Sequence, residues 1–448
     1  MNSPDTLFVF VFVAYLLTVG GILYRLRSEP LYDPRVLFTL AAALWMFIVH
    51  GYVTGFEGYL AAKPGFYHTD IRLLSSYALA MMLVGLLSFV GGTTAGMRVK
   101  MRPASANTSG SLLVPVCIFL FALSVLNFYT NVLMISGGNV YRYLSEIAIR
   151  PYQVEESAGI SASGYVLGFI GIQMLAYIGG RRGVGRRYLW LLSAGVAFML
   201  IVRFSQGRIF QTLVLLGACY TAYSLGTASR VGRPIPWPKQ IHLLFLMGAV
   251  GLCIYFLRIA SALSHLGYKV TLESVEAFGS NLVHFALQRG NVPNFPIVFT
   301  LLDKMPSEEG FFHGSTLFNW AIFFIPKAIL KADYLISLQI KRLWYTDIEG
   351  GGLPPTAVGE WYANFGLAGV LVGMFVVGLV MGLLYKRAIV SCSPYAAVLW
   401  ANLSFGFIVI YPKTDLAQIP QYSMFVLFSL WALMLILRSA LTGRRAST

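Results

Sequence analysis

The sequence predicts an all-α polytopic membrane protein with about 11 transmembrane helices and one large outer loop. Two features of the composition favour this class: 57% of the 448 residues are hydrophobic, and only 11% are charged. Soluble domains carry about 25% charged residues. The third observation is a series of long apolar runs, since a helix needs about 20 apolar residues to cross a bilayer.

Eleven apolar runs are candidate spans. They lie at 6–24, 36–55, 71–96, 112–135, 164–180, 188–202, 209–225, 241–257, 365–385, 395–410 and 422–437. The chain then divides into residues 1–257, with eight helices and short loops, residues 258–364, a large outer loop, and residues 365–448, with three helices and a tail.

Charge along the chain predicts the orientation. Of the 33 Lys and Arg residues, 18 lie in six connectors that hold only two acidic residues, at 25–35, 98–105, 181–187, 228–240, 385–390 and 438–448. Basic connectors stay in the cytoplasm. Topology therefore accounts for the net charge of +15, and nucleic acid is not an expected partner. An odd number of spans with a cytoplasmic C-terminus places the N-terminus outside. The start MNSPD has no basic residue, whereas a cleaved signal peptide begins with a positively charged region.

The outer loops are unequal in length, and long loops carry sites more often than short ones. The loop at 136–161 is one candidate, and the aromatic-rich loop at 258–364 is the larger one. Within it, FNWAIFFIPKAIL (318–330) is apolar but too short to span, which predicts a helix at the membrane interface. The two halves of the chain show no repeat, and this disfavours a transporter.

Histidine and cysteine patterns give no metal site. The chain has four cysteines and no CxxC or HExxH pattern, so we expect chemistry without a metal or another cofactor. His284, in HFALQRG, is a candidate catalytic residue. A buried structural histidine is the alternative.

Arginines form a candidate anion site. Arg203 and Arg208 lie in VRFSQGRIF, the short outer turn between the sixth and seventh predicted spans. A guanidinium suits phosphate because its planar fork donates two parallel hydrogen bonds; the alternative is that both side chains reach lipid headgroups. Arg142 and Arg289, in outer loops, extend the site, although ordinary surface charge also accounts for each.

The passage GGGLPPTAVGEWYANFG (350–366) leads into the ninth predicted span. Its prolines suit a helix start, and a carboxylate at Glu360 is favoured there by the helix dipole. The functional alternative is that Glu360, Trp361, Tyr362 and Asn364 bind sugar at the outer mouth of the bundle and that Glu360 assists the acceptor hydroxyl.

Three stretches resemble the Wzy-type oligosaccharide repeat-unit polymerases of bacteria. PPTAVGEWYANFGLAGVLVGMFVVGLVMG is similar to that family's Gly-Glu passage, and Glu360 and Asn364 match its positions. SQGRIFQTLVLL resembles the Gly-Arg turn, with Arg208 matched. FFHGSTLFNWAIFFIPKAIL resembles the Pro-basic stretch, where Lys327 stands at a position at which arginine is more usual. Arg142, Arg203, His284 and Arg289 are supported by charge and location alone.

The resemblance implies a GT-C-like fold in the bacterial inner membrane with an active site facing the periplasm. It implies transfer of a glycan from an undecaprenyl-pyrophosphate-linked donor to a lipid-linked acceptor, with membrane lipid and a chain-length regulator protein as further partners. The expected catalytic residues are Glu360 and His284. The expected substrate-binding residues are Arg142, Arg203, Arg208, Arg289, Lys327, Tyr362 and Asn364.

Two other functions stay open on the sequence. An O-antigen ligase shares the donor and the fold but transfers to a lipopolysaccharide core. A lipid-linked oligosaccharide flippase is also basic, aromatic and polytopic, but should have short outer loops and repeat symmetry.

Overall fold

All regular structure in the described chain is helical. The computed structural model describes residues 4–43, 67–102, 110–140, 143, 161–183, 195–196, 209–242, 249, 271, 295–318, 336–345 and 353–405. Every regular element in these ranges is an α-helix or a short 3-10 turn. Four of the described helices are long and apolar enough to cross a membrane, so the chain is a helical membrane protein.

The described α-helices are numbered in chain order. They are α1 (Pro4–Arg25), α2 (Pro34–Ala43), α3 (Ile71–Arg98), α4 (Gly110–Ser136), α5 (Ser161–Arg182), α6 (Ile209–Val231), α7 (Phe295–Lys304), α8 (Ile336–Trp344), α9 (Thr356–Ser391) and α10 (Pro394–Phe405). The four candidate spans are α1, α3, α9 and most of α4.

The predicted spans agree with the helices wherever the chain is described. The runs at 6–24, 71–96, 112–135, 164–180, 209–225 and 365–385 lie within α1, α3, α4, α5, α6 and α9. The runs at 36–55 and 395–410 begin within α2 and α10. The runs at 188–202, 241–257 and 422–437, and the stretch 318–330, lie largely outside the described residues. Eleven spans and an interfacial helix therefore stay predictions.

The helices belong to two compact units. The first contains α1, α2, α3, α7, α8 and most of α9, within Met1–Lys100, Asn281–Lys386 and Gly406–Tyr422. The second contains α4, α5, α6 and α10, within Met101–Ser280, Arg387–Phe405 and Ser423–Thr448.

In the first unit, α3 and α9 pack backbone against backbone. A Cβ atom on Gly92 would collide with the carbonyl oxygen of Phe375, and one on Gly382 would collide with the carbonyl oxygen of Thr93. Small residues at such positions let membrane helices approach closely, because lipid provides no hydrophobic force to hold helices together.

Three helices of the first unit end together at a basic end. The Lys386 ammonium donates to the Met97 carbonyl at 2.6 Å, and the Tyr32 ring packs edge-on against Tyr385. The basic residues near this end are Arg25, Arg27, Arg35, Arg98, Lys100 and Lys386. At the opposite end, the starts of α1 and α3 are joined by an ion pair between Asp5 and Arg72.

In the second unit, α5 packs against α6 and α10. A Cβ atom on Gly180 would collide with the Tyr223 carbonyl oxygen, which again shows close helix contact. Gln173 and Asn402 form a reciprocal pair of side-chain amide hydrogen bonds in the interior, at 3.2 and 2.5 Å. Such a pair fixes the register of α5 against α10, because a slip would leave buried amides unsatisfied.

The first helix exposes large apolar side chains to its surroundings. Phe10 is 72% exposed, Leu17 66% and Tyr24 68%. A continuous apolar face of this kind is unfavourable in water and suits lipid.

Candidate functional site

The described part of the candidate site is the start of α9, which carries Glu360, Tyr362 and Asn364. The other candidates lie outside the described residues: Arg142, Arg203, Arg208, His284, Arg289 and Lys327. Their proximity to α9 stays a prediction.

The α9 segment is two helices joined by a sharp break. Phe365 (φ −142°, ψ 16°) and Gly366 (φ 64°, ψ −155°) have non-helical backbones. The conformation of Gly366 is one that essentially only glycine adopts. We refer to residues 356–364 as α9a and to residues 367–391 as α9b.

At this break, α9a folds back along α9b. A Cβ atom on Gly85 of α3 would lie 3.0 Å from Val358 Cγ2 and 3.6 Å from Met374 Cγ, so both side chains meet at one point. A straight helix would hold these two residues about 24 Å apart. The Trp361 indole covers Gly373 directly, and packing within the protein therefore occupies one of the aromatic rings expected to bind sugar.

Helix α9a begins deep within the first unit. The 28 residues of α3 span about 42 Å, with Gly85 near the middle. Val358 contacts Gly85, and Glu360 follows it by less than one helical turn. The sequence placed Glu360 at the outer mouth of the bundle, whereas here it lies near the middle of α3. The difference arises because the chain reverses direction after Asn364.

Local chemistry explains where α9a starts. Pro354 and Pro355 precede it, and the Thr356 hydroxyl accepts the Gly359 amide N–H at 3.2 Å, as a cap does at a helix N-terminus. The first turn carries no acidic residue, and Glu360 is the fifth residue. Since the helix dipole acts mainly within the first turn, it accounts for little of the placement of this carboxylate.

Glu360 has no exposed surface. The other buried charged residues in the described chain are Asp33, which pairs with Arg35 at 2.7 Å, and Lys304, which pairs with Glu308 at 2.8 Å. Burying a carboxylate is costly, and an ionisable residue inside a helical membrane protein is a candidate functional group for that reason.

Asn364 is also fully buried, and it joins α9a to the segment 311–316. Its Nδ2 donates to Thr316 Oγ1 at 2.7 Å and to the Glu360 carbonyl at 2.8 Å. Its Oδ1 accepts the Gly314 amide N–H at 2.9 Å. The protein therefore engages both amide hydrogens and the amide oxygen of this side chain.

Two glycines and two phenylalanines hold the same junction. A Cβ atom on Gly314 (φ 86°) would lie 3.0 Å from the Phe365 ring, and one on Gly366 would lie 3.1 Å from the Phe311 ring. Each glycine thus leaves room for the ring of the opposite segment. Both rings fit only when Gly314 lies opposite Phe365 and Gly366 lies opposite Phe311.

Tyr362 projects into an aromatic cluster formed with residues that precede α9 in the chain. Its ring meets Phe311 edge-on at 6.0 Å, and its hydroxyl donates to the Met305 carbonyl at 3.3 Å. Phe312 and Trp344 pack against the same core, which α7 and α8 form with Ala363. Two described parts of the predicted outer loop, residues 295–318 and 336–345, are therefore folded against the helix that carries Glu360.

Glu308 joins three further segments near this cluster. Its carboxylate accepts from the Lys304 ammonium at 2.8 Å and from the Trp344 indole N–H at 3.2 Å, and its Oε1 lies 3.2 Å from His68 Nε2. Asp303 accepts the backbone N–H groups of His68 and Thr69, both at 2.9 Å. Sequence reasoning missed the contacts of Glu308 and Asp303 with His68 and Thr69 because they join residues more than 200 positions apart.

Buried hydroxyl groups lie between α7 and α8. Thr300 Oγ1 and Tyr345 Oη are 2.6 Å apart. Burial raises the pKa of Tyr345, and hydrogen bonds to Thr300 and Tyr67 oppose the rise. The phenol therefore stays neutral over the ordinary pH range and acts as a structural hydrogen-bonding group.

The described helices show the class of this chain. It is a helical membrane protein in which the buried acidic residue Glu360 lies on α9a, a helix that folds back along α9b. No family model, curated protein or solved structure matches it.

Proposed function

We propose that this chain is a Wzy-type glycosyltransferase with a GT-C-like fold. It polymerises oligosaccharide repeat units carried on undecaprenyl pyrophosphate into O-antigen or a related surface polysaccharide. One observation carries the proposal: Glu360 and Asn364, the two residues matched by the Gly-Glu passage, share a short buried helix that folds back into the bundle. A buried carboxylate is consistent with chemistry on a sugar hydroxyl.

The reaction forms one carbon–oxygen bond, breaks another and transfers one proton. The acceptor hydroxyl oxygen attacks the anomeric carbon of the donor, and the bond from that carbon to the pyrophosphate oxygen breaks. The proton of the hydroxyl passes to the Glu360 carboxylate, and the pyrophosphate leaves with the electron pair. General base assistance of this kind accelerates a reaction by a factor of about 10² to 10⁴.

Arginines stabilise the leaving group in this proposal. Arg208 matches the Gly-Arg turn of the family, and Arg142, Arg203, Arg289 and Lys327 add positive charge. Fixed cations favour the charge that develops on pyrophosphate as the glycosidic bond breaks, and no metal ion or other cofactor is required. His284 is the second candidate proton carrier.

Substrate access requires movement near α9a. Glu360 has no exposed surface, and so a segment packed against α9a moves when the acceptor binds.

We also propose that the basic end of the first unit faces the cytoplasm and the opposite end faces the periplasm, in the bacterial inner membrane. The basic side chains at the ends of α1, α3 and α9 support this orientation through the preference of Lys and Arg for the cytoplasmic side. A reporter fused after Thr448 should give a cytoplasmic signal and one inserted at 306–314 a periplasmic signal. Reversed signals would contradict the orientation.

The function is tested with purified protein in vesicles that contain lipid-linked repeat units. A ladder of products identifies a polymerase, a single addition to lipopolysaccharide core identifies a ligase, and transbilayer movement without a new glycosidic bond identifies a flippase. Glu309→Gln is a matched control for Glu360→Gln, because Glu309 is an exposed glutamate. We expect the Glu309 variant to make the ladder and the Glu360 variant to make almost none.

A further inference from the structure

The amide of Asn364 is committed to contacts within the protein. A side-chain amide has two N–H donors and one oxygen acceptor, and here the donors reach Thr316 Oγ1 and the Glu360 carbonyl while the acceptor receives the Gly314 N–H. A substrate would have to break one of these buried bonds to contact this side chain. Asn364 is therefore badly placed to bind sugar directly.

The segment 311–316 also caps the C-terminal end of α9a. The Phe312 N–H donates to the Ala363 carbonyl at 3.0 Å, and the His313 N–H donates to the Asn364 carbonyl at 3.1 Å. With the Gly314 N–H on Asn364 Oδ1, three consecutive amides of the outer loop bind the last two residues of the helix. Carbonyls at a helix C-terminus lack partners within the helix, so this segment supplies them.

We infer that Asn364 is a positioning residue: together with Thr316 it fixes α9a at the Gly366 break and so sets the location of Glu360. The inference rests on the proposed function for its catalytic consequence. Its structural part is independent, because it states that the segment 311–316 and α9a form one hydrogen-bonded unit. Thr316 lies in the stretch FFHGSTLFNWAIFFIPKAIL but was not itself a candidate site residue, and it becomes part of the catalytic scaffold.

The second unit supplies a matched control. Asn402 Nδ2 donates to its own helix at the Val398 carbonyl, at 2.8 Å, and to the Gln173 side chain. Asn364 likewise donates to the carbonyl four residues earlier and to a distant side chain. Asn402→Ala therefore removes the same kind of buried amide as Asn364→Ala, without a change at 311–316.

Hydrogen exchange of the full chain in lipid nanodiscs tests the structural part. Thr316→Val removes the acceptor of the Asn364 amide, and Thr316→Ser keeps it. We expect the amides of Phe312, His313 and Gly314 to exchange about tenfold faster in Thr316→Val, because an unsatisfied buried donor weakens the junction. Thr316→Ser should exchange as the unmodified chain does.

The Asn variants repeat the exchange test. Asn364→Ala should also accelerate exchange at 311–316, whereas Asn402→Ala should leave it within about twofold. Equal rates at 311–316 in Thr316→Val and in the unmodified chain would overturn the inference, as would equal acceleration by both Asn variants.

Turnover separates positioning from simple stability. In the vesicle assay, per folded molecule, Thr316→Val should lower kcat about tenfold with KM for the donor within about twofold, and Thr316→Ser should restore kcat. Faster exchange with an unchanged kcat would overturn the positioning role. If the unmodified chain makes no polymer, the proposed function fails, and the exchange experiment then decides whether Thr316 and Asn364 hold α9a in place.

Discussion

Replacing Gly366 with alanine tests the break on which the placement of Glu360 depends. Gly366 has φ 64° and ψ −155°, a conformation that costs a residue with a side chain about 1–3 kcal/mol. The new Cβ atom would also lie 3.1 Å from the Phe311 ring, so the ring has to move. Together these effects predict a loss of about 2–3 kcal/mol in the free energy of unfolding.

The matched control is the same substitution at Gly20 in α1. Nothing lies within 4 Å of a Cβ atom placed there, and alanine in a helix interior is better than glycine by about 0.5–1 kcal/mol. Thermal unfolding of both purified variants in one detergent should therefore show Gly366→Ala below the unmodified chain and Gly20→Ala at or above it. Equal unfolding temperatures for the two variants would refute the reasoning.

Substitutions at three further positions probe other parts of the chain. Gly382→Val should lower the unfolding temperature, at a cost of about 1–3 kcal/mol, because its side chain meets the Thr93 carbonyl and forces the two helices apart. Arg208→Ala should abolish glycan lengthening, and Arg208→Lys should restore little of it because a point charge cannot replace a planar fork; a fully active lysine variant would contradict the pyrophosphate role. Burial, and then repulsion from Asp33, raise the pKa of Glu29, so the folded state binds this proton more tightly and loses stability as the pH rises through the raised pKa. Glu29→Gln should therefore raise the unfolding temperature at about pH 7 and have little effect on it at about pH 4. An equal effect at the two pH values would contradict the raised pKa.

The long helices were predictable because their signal is local. Continuous apolar sequence predicts spans at 6–24 and 71–96, and the helices Pro4–Arg25 and Ile71–Arg98 confirm both to within two residues at either end. The length of an apolar run is fixed by the thickness of the bilayer, and this constraint needs no knowledge of tertiary contacts.

The features around Glu360 were not predictable in the same way. Helices α7 and α8 have 10 and 9 residues, too few for a spanning signal, and they are held by packing against α9a. The sequence Asn-Phe-Gly was interpreted as the approach to a span, whereas its glycine reverses the chain direction. The bond from Asn364 to Thr316 joins residues 48 positions apart, and no local pattern marks such a pair.

The turnover of Glu360→Gln tests the central claim most directly. Glutamine keeps the size of the side chain and removes the proton acceptor, so transfer per folded molecule should fall at least about a hundredfold. Donor binding and the unfolding temperature, measured on the same preparation, should remain close to those of the unmodified chain. A near-normal rate of polymerisation by Glu360→Gln would contradict the catalytic role of Glu360, and loss of stability or of donor binding together with activity would assign Glu360 a structural role instead.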